Sequence, residues 1–307
     1  MNGLKGERQI KPPKVSIVIP THNRKDDLIE CLESVMNLDY FDYEVIVVDN
    51  ASTDGTHAAV RKKFPRVRVI TNKENSGVSG GRNIGLKSVD SQSEYILFLD
   101  HDVVLSTNLL SELLRVVIGS GDIGIVTPKI YYYSHKKVIW STGTSINLVS
   151  GKVSFNGGNE VDRGQFGKLK DVQVAPAVIL VKKEVIEKIG GFDEIYFATY
   201  EDTDFCFRAR KSGYRIVYVP GTWAYHKIPL DWPESMNRLL SRAYYVGRNR
   251  LIFMRKHSKY FPLFLMFLPV YFFYYSCLSL WFRKVKEIGN FCKGTMAGLL
   301  FAVRNGG

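Results

Sequence analysis

Residues 95–102 read YILFLDHD, a run of five apolar residues followed by Asp100, His101 and Asp102. A short apolar run bounded by polar residues is typical of a fully buried strand. The two carboxylates would then emerge together at the carboxyl end of that strand. Three similar runs precede it, at residues 15–19, 45–48 and 67–70. The first hundred residues therefore predict four buried strands.

Helical patterns lie between these runs. Leu28, Leu32, Val35 and Met36 recur at helical spacing, residues 55–63 can form a short helix, and the glycine-rich residues 75–85 lead into another. Near-continuous apolar strands separated by helices indicate an α/β fold, with a mostly parallel sheet covered by helices on both faces. Ligands bind beyond the carboxyl ends of the strands in such sheets. Residues 21–24, 49–54 and 100–102 should therefore converge on one crevice.

The middle of the chain has a more mixed pattern. Residues 131–133, 138–140 and 172–181 look extended, whereas the glycine-rich, polar residues 150–167 predict a loop. Short helices are predicted at 184–190 and 202–211. A last strand is predicted at 215–219, stopped by Pro220 because proline cannot donate to a ladder of backbone hydrogen bonds.

The composition is basic. Lysine and arginine outnumber the acids by 42 to 30, for a net charge of +12, which favours an anionic partner such as nucleic acid, a lipid surface or a phosphorylated substrate. The four cysteines include no CxxC pair, so common zinc and thiol-redox motifs are absent. Cys31 and Cys206 are predicted to be small core residues, in keeping with a reducing compartment. The first 14 residues are polar, unlike a secretory signal.

The last quarter of the chain predicts contact with a membrane. Residues 232–260 look like one basic helix, and the 23 residues from Tyr260 to Phe282 contain no charge. That length could span a hydrocarbon core of about 30 Å. Because Pro262 and Pro269 interrupt it, a helix lying in the interface is an alternative. A buried helix pair or a homo-oligomer interface would also explain the apolar composition.

Asp100 and Asp102 are candidate ligands of a metal that binds phosphate. Mg²⁺ prefers oxygen ligands and often bridges carboxylates to substrate phosphates. The D-x-D tripeptide is weak evidence alone, because turns and helix caps also contain it. Its position after a buried strand strengthens the metal interpretation. His226 could be a third ligand through neutral imidazole, or simply a packed surface residue.

Other polar residues at strand ends suggest a nucleotide site. Asp49 could accept the N3–H of a uracil or thymine ring or cap the next helix, a role for which Asp54 is the better candidate. Thr21, Asn23 and Arg24 could contact the nucleotide, and the Asn75 loop with Arg82 could approach a phosphate. The G-x-G-x-x-G and G-x-x-x-x-G-K-[ST] loops are missing.

Glu201 and Asp202 open a predicted helix. Acids in a first helical turn often interact only with the helix dipole. Alternatively, one of them is a general base, because Asp100 and Asp102 cannot take that role while they ligate a metal. The helix N-terminus is expected to lower the pKa of such an acid, which would keep it ionised but make it a weaker base.

These segments together resemble the family-2, GT-A-fold inverting glycosyltransferases, especially rhamnosyltransferase-like members. The resemblance covers about residues 14–255 and rests on VSIVIPTHNR, VIVVDNASTDGT, NSGVSGGRNIG, YILFLDHD, GGFDE, YEDTDFCFRARKSGYRIVYVP and His226. It implies a donor site from Thr21, Asn23, Arg24, Asp49, Asn75, Arg82 and Asp100. It implies Mg²⁺ or Mn²⁺ on Asp100 and Asp102 with His226 as a further contact, and Asp202 as catalytic base with Glu201 beside it.

The resemblance also implies an organisation and a reaction. Residues 1–13 would form an arm, 14–230 a GT-A domain (14–102 for the nucleotide, 103–230 for the acceptor), and 231–307 a membrane-associated tail. The Q-x-x-R-W motif of processive synthases is missing, which favours transfer of a single sugar. The expected donor is a UDP- or TDP-sugar and the expected acceptor a glycan or polyprenyl-linked saccharide, at the cytoplasmic face of the membrane.

Two other classes of protein stay open at this point. A sugar-nucleotide nucleotidyltransferase would carry a glycine-rich, arginine-containing loop after the first strand, where this chain has PTHNR. A non-enzymatic basic protein that binds membrane or RNA would explain the charge but not the polar clusters at successive strand ends. RNA binding also usually brings aromatic stacking platforms on a sheet, so no nucleic-acid partner is expected.

Overall fold

The computed structural model describes residues 12–304, and its first half is the predicted parallel sheet. Strands β1 (Val15–Thr21), β2 (Tyr43–Asp49), β3 (Arg68–Thr71) and β4 (Tyr95–Leu99) lie in the order β4-β1-β2-β3, all parallel. Helices α1 (Lys25–Met36), α2 (Thr56–Lys63) and α3 (Gly77–Leu86) connect them. The α/β GT-A-like fold expected from the sequence is confirmed.

The second half extends the same sheet with mixed directions, while residues 144–146 and 153–155 pair separately in a two-stranded antiparallel sheet. Its strands are β5 (Val103–Leu105), β6 (Ile123–Tyr132), β7 (Ile139–Ser141), β8 (Thr144–Ile146), β9 (Val153–Phe155), β10 (Lys170–Asp171), β11 (Val178–Lys182) and β12 (Arg215–His226). Its helices are α4 (Leu109–Ile118), α5 (Lys183–Ile189) and α6 (Glu201–Lys211). β11 lies antiparallel between β4 and β6, and β12 runs parallel to β6. β9 lies inside residues 150–167, where the sequence predicted only loop.

The predicted stop at Pro220 is wrong, because β12 continues to His226. The register against β6 shifts between Val219 and Trp223. This irregularity takes Pro220, which has no N–H group, out of the regular ladder. Beyond it, His226 pairs with Val103 of β5. The longer strand therefore carries His226 to the segment that contains Asp102.

Apolar side chains cover both faces of the sheet. On one face, Leu28 and Leu32 of α1 pack in a cluster with Ile17 of β1. On the other face, Phe98 of β4 packs edge-on against Phe192 and Phe205, with ring centroids 4.9 and 6.4 Å away. Cys31 and Cys206 are buried, one in each cluster, as the sequence predicted. The sheet is thus a rigid platform for the residues at its carboxyl edge.

Residues 232–304 form five helices. These are α7 (Trp232–Ser241), α8 (Ala243–His257), α9 (Phe261–Leu265), α10 (Leu268–Trp281) and α11 (Val285–Arg304). The single helix predicted over 232–260 is wrong, since the backbone leaves helical geometry at Arg242 (φ −108°, ψ 14°). α11 packs closely along α8: a β-carbon at Gly294 would lie only 2.0 Å from the Tyr244 carbonyl oxygen.

The packing of α8 bears on the predicted domain boundaries. Leu251, Phe253 and Met254 of α8 are fully buried in the same cluster as Phe205 of α6. The helix after residue 230 therefore packs directly on the body that carries the sheet. The division at residue 230, and the halves on either side of residue 102, stay predictions. Most of the predicted arm, residues 1–11, and residues 305–307 lie outside the described part of the chain.

Candidate active site

Asp100, Asp102 and His226 meet at the carboxyl edge of the sheet. One ligand atom from each lies within 4.8 Å of the others. Asp100 follows β4 directly, Asp102 precedes β5, and His226 ends β12. His226 Nε2 lies 3.1 Å from Asp102 Oδ1. The structure thus brings together three residues that the sequence predicted to share one site.

This donor set suits a divalent metal. Two carboxylates and one imidazole combine the hard oxygen ligands of Mg²⁺ and Mn²⁺ with a nitrogen ligand that Mn²⁺ accepts well. The Asp100 side chain is 30% exposed, so the group opens to solvent, whereas Asp102 and His226 are buried. The Nδ1 atom of His226 is buried with no hydrogen-bond partner within residues 12–304. These residues fit the cation that the sequence implied.

Asp102 is held in its ionised form. Burial would raise the pKa of this carboxyl, but His226, His101 and Arg238 outweigh it and keep the pKa well below its usual range. Arg238, on α7, places Nη2 3.9 Å from Asp102 Oδ2. Sequence reasoning counted Arg238 only as part of a basic helix. The break at Arg242, which separates α7 from α8, has no signal in the sequence. Nothing in the sequence therefore distinguished Arg238 from the other basic residues of this segment.

Arg82 connects Asp100, one of the candidate metal ligands, to Asp202, the candidate base. Its side chain is fully buried, with Nη2 2.9 Å from Asp100 Oδ1 and Nη1 donating to Asp202 Oδ1. The guanidinium also lies 4.9 Å from the centre of the Phe192 ring. The positive charge of Arg82 therefore lies between the carboxylates of Asp100 and Asp202. A donor diphosphate contact, which the sequence suggested for Arg82, stays a prediction.

Glu201 and Asp202 open α6 after two residues with positive φ, Thr199 and Tyr200. Burial raises the pKa of Asp202, and Asp100 adds to this, although Arg82 opposes it. Burial and the charge of Asp202 raise the pKa of Glu201 to about 8. The expected lowering by the helix N-terminus is therefore wrong in direction, because desolvation dominates. A carboxylate with a raised pKa is a stronger base.

The predicted nucleotide-binding residues line the neighbouring strand ends. Asp49 is buried and accepts the Ser52 N–H at 2.9 Å. Asn23 accepts the Thr53 N–H at 2.7 Å and has a positive φ of 51°. Asn75 accepts the Gly77 N–H at 2.9 Å, at the start of α3. These side chains shape the loops around the crevice.

Thr21, Arg24 and Asp54 complete this part of the crevice. Thr21 is buried, and its Oγ1 has no partner among the described residues. The Arg24 side chain is 53% exposed and pairs with Asp27 at 3.2 Å. Asp54 accepts the Thr56 N–H at 3.1 Å just before α2. The N-cap position of α2 is occupied by Gly55, so the helix-capping role predicted for Asp54 is wrong.

Sequence reasoning missed Asn50, which links the loop after β2 to the loop after β3 in this crevice. Its Oδ1 accepts hydrogen bonds from Asn72 at 3.1 Å and Ser76 at 3.0 Å, and its Nδ2 donates to the Gly77 carbonyl oxygen at 3.0 Å. Its position directly after Asp49, in VVDN, was the available signal. Asn50 fixes the glycine-rich loop relative to Asp49.

Comparison with known proteins agrees with this geometry. The sequence model of the family described as "Glycosyl transferase family 2" matches residues 16–190. The chain belongs to this family. The match contains the D-x-D segment and the four parallel strands. Membership of this family does not by itself assign the rhamnosyltransferase-like specificity that the sequence suggested.

Two curated relatives illustrate the range of this family-2 chain's similarity. Glycosyltransferase AglE of Haloferax volcanii is 25% identical over 257 residues, covering 78% of this chain and 73% of the relative. The GalNAc(5)-diNAcBac-PP-undecaprenol beta-1,3-glucosyltransferase of Campylobacter jejuni is 35% identical over 107 residues, 34% of each chain. The family-2 chain spans 27%, 73% and 59% of the length of three of its curated relatives.

Solved structures share the fold of the family-2 chain. The mannosyltransferase PcManGT of Pyrobaculum calidifontis, solved in complex with GDP-Man and Mn²⁺, superposes with a TM-score of 0.56 at 17% identity. The superposition covers 94% of this chain and 87% of PcManGT. At that identity the similarity establishes the fold.

Proposed function

We propose that this chain transfers a single sugar, with inversion, from a UDP- or TDP-sugar to a lipid-linked saccharide at the cytoplasmic face of the membrane. The observation that carries the proposal is the connected group of Asp202, Arg82 and Asp100 beside Asp102 and His226. A sugar transfer of this kind needs a base beside the diphosphate site but separated from it, and the position of Arg82 between Asp100 and Asp202 supports the proposal.

The reaction divides between these residues. Asp202 removes the proton from the acceptor hydroxyl, whose oxygen forms a bond to the anomeric carbon as the bond to the diphosphate breaks. A divalent cation on Asp100, Asp102 and His226 would supply positive charge beside the leaving diphosphate. Arg82 opposes the rise that burial causes in the pKa of Asp202, and Arg238 adds a second positive charge near Asp102.

The substrates rest on separate support. Asp49, buried at the end of β2, is the candidate reader of a uracil or thymine ring, which favours UDP- or TDP-sugars. The rhamnosyltransferase-like segments make TDP-rhamnose one donor to test. For the acceptor, the Campylobacter relative is named for an undecaprenol diphosphate substrate. The apolar segment Phe261–Trp281 is the one segment of the described residues long and apolar enough to cross a membrane by length and composition.

A donor panel tests this proposal. Slow nucleotide release would be measured for UDP-, TDP- and GDP-sugars with Mn²⁺, then with EDTA and with the Asp102→Ala variant. The exposed Asp171, which pairs with Arg215 far along β12, provides the control Asp171→Ala. We expect release from one UDP- or TDP-sugar that EDTA and Asp102→Ala abolish and Asp171→Ala leaves intact. Release unchanged by EDTA would refute the metal role, and retention at the anomeric carbon of the product would refute inversion.

A further inference from the structure

The outward side of α9 and α10 is an unusually apolar surface. Six large side chains are between 49% and 75% exposed there. We call them the tail face: Leu263, Met266, Val270, Phe273, Leu280 and Trp281. When this many exposed apolar side chains lie together, they usually mark a site of interaction with another molecule. The catalytic group described above does not use it.

The opposite side of α10 is fastened to the protein near its start and its middle. The Tyr271 hydroxyl donates to the Ser150 carbonyl oxygen at 2.9 Å, and the Arg250 guanidinium lies 3.8 Å from the centre of the Tyr271 ring. Tyr275 stacks on Phe291 of α11, with ring centroids 4.3 Å apart and planes 17° apart. A helix held in this way lies along the protein surface.

The end of α10 is fastened as well. Phe282, directly after the helix, lies 5.0 Å from the ring of Trp232 on α7. α10 has 14 residues, which corresponds to a length of about 21 Å, shorter than a hydrocarbon core of about 30 Å. Crossing a bilayer would take the whole segment Phe261–Trp281 and would require it to give up the contacts of Tyr271, Tyr275 and Phe282.

The charges around the tail face identify its partner. Residues 259–304 contain six lysines and arginines but one acid, Glu287. Lys259 precedes α9, and Arg283 and Lys286 follow α10, all three exposed. Cations at the ends of an apolar, aromatic surface suit a bilayer with anionic headgroups. A second copy of the chain would bring the same positive charge to the contact.

We propose that α9 and α10 lie in the plane of an anionic membrane, with the tail face in the interface, and do not span it. This inference rests on the membrane location within the proposed function. It has a consequence for the active site, since α7 contacts α10 through Trp232 and also carries Arg238, 3.9 Å from Asp102. One helix then separates the metal-ligand group from the bilayer surface, where a lipid-linked acceptor would be presented.

Vesicle binding tests the tail face. The full chain would be sedimented with vesicles of phosphatidylcholine alone or with phosphatidylglycerol, at low and high salt. We expect binding to the anionic vesicles that weakens with salt and falls at least tenfold in the double variant Phe273→Asp, Trp281→Asp. The control is Phe41→Asp, a 93% exposed aromatic elsewhere on the surface, which should bind like the unchanged chain. Unchanged melting temperatures would show that all variants fold.

Cysteine labelling separates lying in the plane from spanning. Cys31 and Cys206 are buried, so Cys277→Ser and Cys292→Ser would give a background without exposed thiols. Lys259→Cys and Lys284→Cys would then place one thiol on either side of α10, with the protein added outside preformed vesicles. We expect a membrane-impermeant maleimide to label both thiols without detergent. Protection of one thiol until detergent is added would show that the segment spans and overturn the proposal.

The remaining outcomes are also decisive. Absence of binding to anionic vesicles, with a dimer by light scattering that Phe273→Asp dissociates, would overturn the proposal in favour of self-association. Absence of both binding and dimer would overturn it as well. The binding measurements use no donor and can be repeated with Asp202→Asn. Absence of sugar transfer by the unchanged chain, together with intact vesicle binding, would therefore count against the proposed function and not against the membrane surface.

Discussion

The replacement Arg82→Met tests how the candidate site is held together. Arg82 is fully buried and pairs with both Asp100 and Asp202. Methionine keeps much of the side-chain volume but removes the charge and every hydrogen bond that the guanidinium donates. The side chains of Asp100 and Asp202 are only 30% and 16% exposed, so solvent compensates them poorly. Two carboxylates would then face each other without the cation between them.

The expected cost follows from this burial. Removing one partner of a buried ion pair typically destabilises a protein by about 3–5 kcal/mol, because the remaining charge is left uncompensated. For a chain of this size that corresponds to a decrease in melting temperature of roughly 5–8 °C. Loss of Arg82 should also raise the pKa of Asp202 further, since Arg82 is the charge that opposes burial there. The acid limb of the rate profile should therefore move to higher pH.

The assay combines calorimetry, donor titration and a pH–rate profile. The control is Arg115→Met, because Arg115 is 67% exposed and pairs with Glu112 on the surface, where an ion pair contributes little to stability. In an Asp202→Asn background, Arg82→Met should cost less, since one of the two carboxylates is already neutral. If Arg82→Met kept the melting temperature but lost affinity for the donor, Arg82 would be a direct diphosphate ligand and the structural bridge would be refuted.

Three further predictions concern individual carboxyl groups. Asp202→Asn should lower kcat by roughly 10²–10⁴, the usual contribution of a general base, while donor affinity and the Asp171→Asn control stay near normal; full turnover would exclude Asp202 as the base. Glu201 has a pKa of about 8 against an ordinary 4.5, so between these pH values the folded state keeps a proton that the unfolded state loses. The free energy of unfolding should therefore fall as pH rises from 4.5 through 8. In denaturant titrations, Glu201→Gln should reduce this dependence of stability on pH. Burial raises the pKa of Asp162, but hydrogen bonds from Lys129 and Tyr131 outweigh it and hold the pKa at about 2. The ionised carboxylate should therefore contribute about 2 kcal/mol to the free energy of unfolding above pH 3.8, and this contribution should be lost as pH falls through 2. In denaturant titrations, the Asp162→Asn variant would not show that loss.

The meeting of Asp100 and Asp102 at one edge of the sheet was predictable from the sequence because strand ends obey a simple rule. Asp100 and Asp102 follow a continuous apolar run, and the carboxyl ends of parallel strands meet at one edge. His226 was predicted at the same edge although the strand was expected to stop at Pro220. The resemblance supplied His226; the bulge that lets β12 continue past a proline gives no local sequence signal. The local sequence pattern therefore indicated the edge of the sheet where the site lies. The position of His226 depends on the pairing of β12 with β5, which the local pattern does not indicate.

The bridge through Arg82 could not be predicted in the same way. Arg82 and Asp202 are 120 residues apart, and nothing in either segment indicates that one is the partner of the other. The pKa of Asp202 was predicted in the wrong direction for a related reason. Position in a helix is visible in the sequence, whereas burial is not, and at this residue burial is the larger effect.

The tail helices belong to the machinery that holds α6. Asp204, two residues after Asp202 on α6, is fully buried and accepts hydrogen bonds from Lys256 at 2.5 Å and His257 at 2.8 Å, both on α8. Removing α8 would leave this carboxylate buried with Arg208 as its remaining cation, a strongly destabilising state. α6 is therefore fixed on one side by Arg82 and on the other by α8. Because α8 contacts both α6, which carries Asp202, and α11, point substitutions on the tail face would test the proposed membrane contact more cleanly than deletion of the tail.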